Sequence, residues 1–184
     1  DLSTISLLAT APQALVTHTS VPVRNFKEFI AHVRVNPGRL SYGTTGSGSA
    51  SHLTMELLKA DAKLFIVHIP YRGFPQAVTD TLAGNIHTMF AIIPGVLSHI
   101  KAGKLTPLAV TALKRSALLP EVPDVKELGY PQLESLAWIG MLAPAKTPQP
   151  VIDRLYAEAR KALEAPESRR ILTNAGFDVA GTTP

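Results

Sequence analysis

Apolar positions along this chain change their period repeatedly. Strand-length runs of β-branched and aliphatic residues alternate with stretches whose apolar residues recur every three to four positions. That alternation predicts an α/β fold with a largely parallel sheet flanked by helices. The opening "DLSTISLLATAPQALV" reads as a strand and its connection, with "ALVTH" (14–18) a strand. "SVPVRNFKEFIAHVRVNPG" holds a helix from about Asn25, stopped by Asn36-Pro37-Gly38. Further strands are expected at 40–44, 64–71, 86–92 and 105–112, and further helices at 49–60, 74–84 and 95–103, the last two ending on glycine as helices commonly do. Beyond 112 the texture turns Pro-rich and irregular, with one short helical turn, so a boundary is placed there. "WIGMLAPAKTP" then reads as a strand and loop, and "QPVIDRLYAEARKALEAPESRRILTNAG" as two helices split by Pro166.

Composition changes this picture little. The 184 residues, 46% hydrophobic and 17% charged, suffice for a substantial core. The net charge of +4 raises nucleic acid as a partner, but Lys and Arg are scattered. The dense basic spots at 114–115 and 169–170 carry no interleaved aromatics, so no nucleic-acid surface is expected. The lack of cysteine removes disulfides, thiolate metal sites and Cys nucleophiles together. No apolar run reaches the roughly 18 residues of a membrane span, and no basic-then-apolar leader opens the chain.

The densest candidate chemistry is "YGTTGSGSASH" (42–52), between a strand and a helix. Such a turn gathers backbone N–H groups and the positive end of a helix dipole at one point, where a carboxylate or phosphate is stabilised. Thr44, Thr45, Gly46, Ser47, Gly48 and Ser49 are the candidate binding residues, with Ser51 a further donor. A Walker loop needs Lys and then Ser or Thr after its last glycine, but Gly48 is followed by Ser49-Ala50. A dinucleotide fingerprint would place a third glycine where Ser51 stands. A plain helix cap by Ser49 or Ser51 remains open. Acyl transfer is disfavoured, because "GSGSA" is not a G-x-S-x-G elbow and His52 is poorly placed to deprotonate a serine of the preceding loop.

"IPYRGFPQA" (69–77) is a second candidate, again where a strand gives way to a helix. Ligands of open α/β sheets bind beyond the carboxyl ends of the strands, so Tyr71, Arg72 and Gly73 should lie beside the first loop and supply a ring wall, a charge and a close backbone approach. An ordinary turn with a surface arginine is the competing reading. The six histidines show no metal-ligand spacing, and the acidic residues lie away from the strand ends, so neither a metal, a cofactor nor paired-carboxylate hydrolysis is expected.

Four segments, "NPGRLSYGTTGSGSASHLTMELL", "HIPYRGFPQAVTDTLAGNIHTMF", "IKAGKLTPLAVTALKRSALLPEVPDVKELGYP" and "WIGMLAPAKTPQPVIDRL", resemble in order and spacing the extracytoplasmic solute receptors of tripartite tricarboxylate transporters, the Bug family. The resemblance implies a type II periplasmic-binding-protein architecture that closes over a small carboxylate and delivers it, unchanged, to membrane permease subunits or to a signalling partner. Residues 16–112 would form lobe two, and 1–15 with 113–184 hinge segments and part of lobe one. In the family, a loop from each lobe grips one ligand carboxylate. The second-lobe loop matches Thr44 to Ser49, and nothing here corresponds to the other, so the expectation is an incomplete chain that binds weakly and self-associates. Many relatives carry an acidic residue where His87 stands, and amino-acid binders carry one near Phe90-Ala91-Ile92. Their absence implies a carboxylate with an apolar or aromatic body, and Ala91 joins the candidate ligand-contacting residues.

Overall fold

A computed structural model describes residues 1–183. It divides into two compact units: Pro12–Leu136, and Asp1–Ala11 with Ala137–Pro184. The first strand, β1 (Leu2–His18), contributes its second half to the larger unit and its first half to the smaller.

In the larger unit, chain order is α1 (Phe26–Val35), β2 (Ser41–Thr44), α2 (Ala50–Ala62), β3 (Val67–Pro70), α3 (Phe74–Leu82), β4 (Thr88–Ile92), α4 (Ile93–Lys101) and β5 (Leu105–Val110). The strands lie in the order β3-β2-β4-β1-β5. β2 pairs with β3 and β4 in parallel, whereas β1 runs antiparallel to both β4 and β5. The sheet is therefore mixed: four strands share a direction and β1 opposes them. Residues 11 and 13–17 are all buried, as expected of an inner strand covered on both faces. This corrects the expectation of a strand and a connection over 1–16, because Pro12 is carried within the strand without ending it.

The helices begin where their chemistry directs. Asn25 caps α1 by accepting the Glu28 amide at 2.9 Å, and a Glu28 carboxylate oxygen accepts the Arg24 amide at 2.7 Å. Helix α4 starts at Ile93, before the expected Gly95, because Pro94 fits the first turn, whose amides have no intrahelical acceptor. The Cβ of any residue at 95 would lie 2.3 Å from the Phe74 ring, so Gly95 lets α4 approach the start of α3.

Two apolar clusters fill the larger unit. One gathers Phe29, Tyr42, Met55, Leu58, Ile66 and Phe90 among others; a second is built around Ala77, Met89, Ala91, Ile93 and Val96. Residues 113–136 pack into the same unit: Val110 bridges Asp124 in parallel, its amide donating to Pro123 O and its carbonyl accepting from the Val125 amide, and a short 3-10 turn (Pro131–Leu133) buries Leu133. The unit thus extends past the boundary expected at 112. An exposed Arg115–Glu127 pair at 2.6 Å links two points of that segment, and the bond from Arg115 brings the Glu127 carboxyl down to about 2.

In the smaller unit, the first half of β1 pairs with β6 (Leu136–Pro144) and β7 (Asp178–Val179), accompanied by α5 (Gln149–Glu164) and α6 (Pro166–Asn174). Its core of Ile5, Ala143 and Ile152 is small, while Trp138, Ile139 and Leu142 of β6 are exposed. No helix among the described residues is long and apolar enough to cross a membrane.

Candidate functional site

The carboxyl ends of β2, β3 and β4 each lead into a helix N-terminus, of α2, α3 and α4 respectively. Of these three helices, only α2 carries a side-chain cap: Ser49 Oγ accepts the His52 amide at 3.4 Å and donates to Gly46 O at 2.7 Å. The loop between Thr44 and Ala50 depends on two backbone conformations that favour glycine, Gly46 with φ +121° and Gly48 with φ +79°.

Most polar groups of this loop are internally engaged. The Gly46 amide bonds Thr44 Oγ1 at 3.3 Å, the Thr45 amide bonds Ser51 Oγ at 3.4 Å, the Gly48 amide bonds His52 Nδ1 at 3.1 Å, and the Ser49 amide bonds Gly46 O at 3.3 Å. Among the described residues, the amides of Ser47, Ala50 and Ser51 have no acceptor, and the exposed hydroxyls of Thr45 and Ser47 have no partner. These donors cluster at the positive end of α2, where a negative charge is stabilised by up to about 1–2 kcal/mol. The loop is more than a plain cap.

The second predicted loop lies beside the first. The Tyr71 amide bonds Thr44 O at 3.0 Å, and a Cβ at Gly43 would lie 3.5 Å from the Tyr71 ring. Tyr71 donates to Asp80 Oδ2 at 2.7 Å, and burial, then Asp80, pushes the phenol up to about 12. It stays neutral, a wall fixed by its own carboxylate partner. Arg72 is exposed, with no ion-pair or hydrogen-bond partner among the described residues, and remains available to an anion. Gly73, with φ −179°, is ordinary extended backbone that caps α3. It needs no special conformation.

Two predicted residues, Thr44 and Ala91, take other roles, and His87 lies elsewhere. Thr44 is fully buried, and its Oγ1 lies 2.7 Å from His68 Nε2, so its hydroxyl shapes the loop and is not offered outward. Ala91 is buried in the core opposite Ala14, because β4 is an inner strand covered on both faces. Its side chain is withdrawn from the loops. His87 precedes β4, and its Nδ1 accepts the Ser41 amide at 3.0 Å, at the opposite end of β2 from the loop. His87 therefore lies away from the 44–50 loop.

What pattern reading missed is an aromatic stack behind the loop. Tyr42 and His68 are register partners on β2 and β3, with ring centroids 4.8 Å apart, and His52 of α2 stacks on His68 at 4.2 Å. Tyr42 donates its hydroxyl to Glu56, whose Oε1 also lies 2.6 Å from Lys59 Nζ. Burial and the Glu56 partner raise the Tyr42 phenol. Burial opposes ionisation of Glu56, but its bonds from Lys59 and Tyr42 outweigh that and lower its pKa. Burial, then neighbouring His52, lowers His68. The available signal was His52 and Glu56 at helical i,i+4 spacing over a strand bearing Tyr42.

The serines are not poised as nucleophiles. His52 Nδ1 is taken by the Gly48 amide, and Ser49 Oγ by Gly46 O. Among the described residues, no cluster of three or more His, Cys, Asp or Glu side chains could hold a metal. Donors of this kind, beside a neutral ring and a guanidinium without a partner among the described residues, are of the chemistry that accepts an anion.

The larger unit's sheet and its strand-end loops define the class. The fold is that of a periplasmic binding protein: BugD, solved as a periplasmic binding protein, superposes with a TM-score of 0.93 at 31% identity, covering 99% of this chain and 61% of that one. The chain belongs to the tripartite tricarboxylate transporter family of receptors, whose model, described as "Tripartite tricarboxylate transporter family receptor", matches residues 1–183. A protein encoded in the tcbD-tcbE intergenic region of Pseudomonas sp. strain P51 is 38% identical over 185 residues, covering 100% of this chain and 55% of its own length. An R. palustris protein solved with adipate matches with a TM-score of 0.94 at 29% identity, covering 100% of this chain and 62% of that one. MatC from Rhodopseudomonas palustris, solved with bound malate, matches with a TM-score of 0.91 at 28% identity, covering 97% and 60%. The chain spans about half the length of the curated relatives it matches.

Proposed function

We propose that this chain carries the binding lobe of a periplasmic receptor that captures a small carboxylate and hands it, chemically unchanged, to the membrane permease of a tripartite tricarboxylate transporter. One observation carries the reading: the unpartnered amides of Ser47, Ala50 and Ser51 converge at the start of α2, beside the hydroxyls of Thr45 and Ser47. Arg72, on the adjoining loop, supplies the charge that pairs with a carboxylate. The ligands of two structural relatives, adipate and malate, are both dicarboxylates, which favours a dicarboxylate here.

A thermal-shift series tests the reading. A ligand at roughly ten times its Kd adds about 1.4 kcal/mol to the folded state. Adipate or malate, compared with chloride at matched ionic strength, is therefore expected to raise the midpoint of the chain. A rise with phosphate or nucleotides and none with any mono- or dicarboxylate would reject carboxylate capture.

A further inference from the structure

The stack behind the loop has no place in ligand contact as derived above, yet it holds two of the loop's bonds. His52 Nδ1 accepts the Gly48 amide at 3.1 Å, so its ring proton sits on Nε2 when the ring is neutral. His68 Nε2 meets Thr44 Oγ1 at 2.7 Å, and that hydroxyl in turn accepts the Gly46 amide at 3.3 Å. The two rings face each other at 4.2 Å and 18°. Resting on the carboxylate-binding reading, we infer that His52 and His68 are positioning residues whose neutral rings hold the 44–49 loop in its anion-accepting shape, so that protonating His52 weakens carboxylate binding.

The chemistry sets the sign. A proton added to His52 goes to Nδ1, the only ring nitrogen with a free lone pair. Nδ1–H would then face the Gly48 N–H, donor against donor, and Gly48 must turn away. Its φ of +79°, with nothing within 4 Å of its Cβ position, leaves it room to do so. Turning Gly48 moves the peptides on either side, including those next to the free Ser47 amide and the Ser49 cap.

The groups around His52 divide. Glu56 on the same helix, with Oε1 at 4.0 Å from His52 Nε2, favours the cation. Lys59, also on α2, lies 2.6 Å from that same oxygen and offsets it. From β3, His68 opposes a second charge across the stack, and from β2, Tyr42 presents a neutral ring at 6.5 Å from His52. Charge attraction alone predicts the opposite result, because a cationic histidine near an anion site should tighten binding in acid.

The test uses amide-resolved NMR on the chain, with adipate as probe. In the ligand-free protein, the Gly48 and Ser47 amides should titrate with the same midpoint as the His52 ring. If only the neutral form binds, adipate affinity should fall about tenfold from one pH unit above that midpoint to one unit below. His52→Asn places a non-titrating acceptor where Nδ1 stood, so it should retain binding and lose the pH dependence. His52→Ala, lacking the acceptor, should bind weakly at every pH.

A Gly48 amide that ignores His52 titration overturns the inference. So does adipate affinity that rises in acid, or an unchanged pH profile in His52→Asn. If adipate binds at no pH, the carboxylate reading fails by itself, and the Gly48 titration alone decides whether His52 positions the loop.

Discussion

Gly46→Val should reduce carboxylate affinity at least tenfold while costing only modest stability. At φ +121° Gly46 occupies a region that L side chains rarely adopt, and a Cβ there would meet only Tyr71 O at 3.7 Å. The penalty is thus backbone strain, of order 1–3 kcal/mol, and not a clash. The loop can relieve it by rotating the peptide after residue 46. That would break the bonds from Ser49 Oγ and the Ser49 amide to Gly46 O, at 2.7 and 3.3 Å, and swing the Ser47 amide away. Since about 1.4 kcal/mol is a factor of ten in affinity, even partial relief of this kind is visible in a titration. Gly103→Val is the control: φ is +68°, nothing lies within 4 Å, and the site is the end of α4, far along the chain from the loop. It should lose comparable stability and keep its affinity. Equal affinities for the two variants would show that the loop's shape does not matter to binding.

Tyr42→Ala carries the largest expected stability loss, about 3–5 kcal/mol, from the cavity left by a fully buried ring. It also removes the platform under His68 and the partner of Glu56, so the loop should lose its preformed shape together with the core contact. Tyr42→Phe keeps the ring and loses only the hydroxyl bond to the Glu56 carboxylate, for about 1.5–3 kcal/mol. Urea denaturation of the two variants separates the contributions. Similar losses in both would mean that the Glu56 bond, not the packed ring, is what Tyr42 supplies.

The parts of this molecule written in local signals could be read directly from the chain. The Asn25 cap, the Asn36-Pro37-Gly38 stop and the Gly46/Gly48 turn before Ser49 each act within a few residues, and each falls where its chemistry predicts. Non-local features could not be read so. The antiparallel insertion of β1 between β4 and β5 depends on pairing across most of the larger unit, and nothing in "ALVTH" encodes a strand's direction. Likewise, positions 87 and 91 draw attention only through the resemblance to relatives, and no local signal says where either side chain goes. Ala91 lies in a strand covered on both faces, and His87 sits at the end of β2 away from the loop. The Tyr42–His68–His52 stack joins three elements, so no single window of sequence contains it.

The most direct measurement of the central claim is an NMR titration of the isotopically labelled chain with adipate or malate, read amide by amide. The largest changes are expected on Ser47, Ala50 and Ser51, with smaller ones at Tyr71 and Arg72, and Arg72→Ala should weaken the response without relocating it. Saturable changes centred elsewhere, with those three amides unmoved, would contradict it.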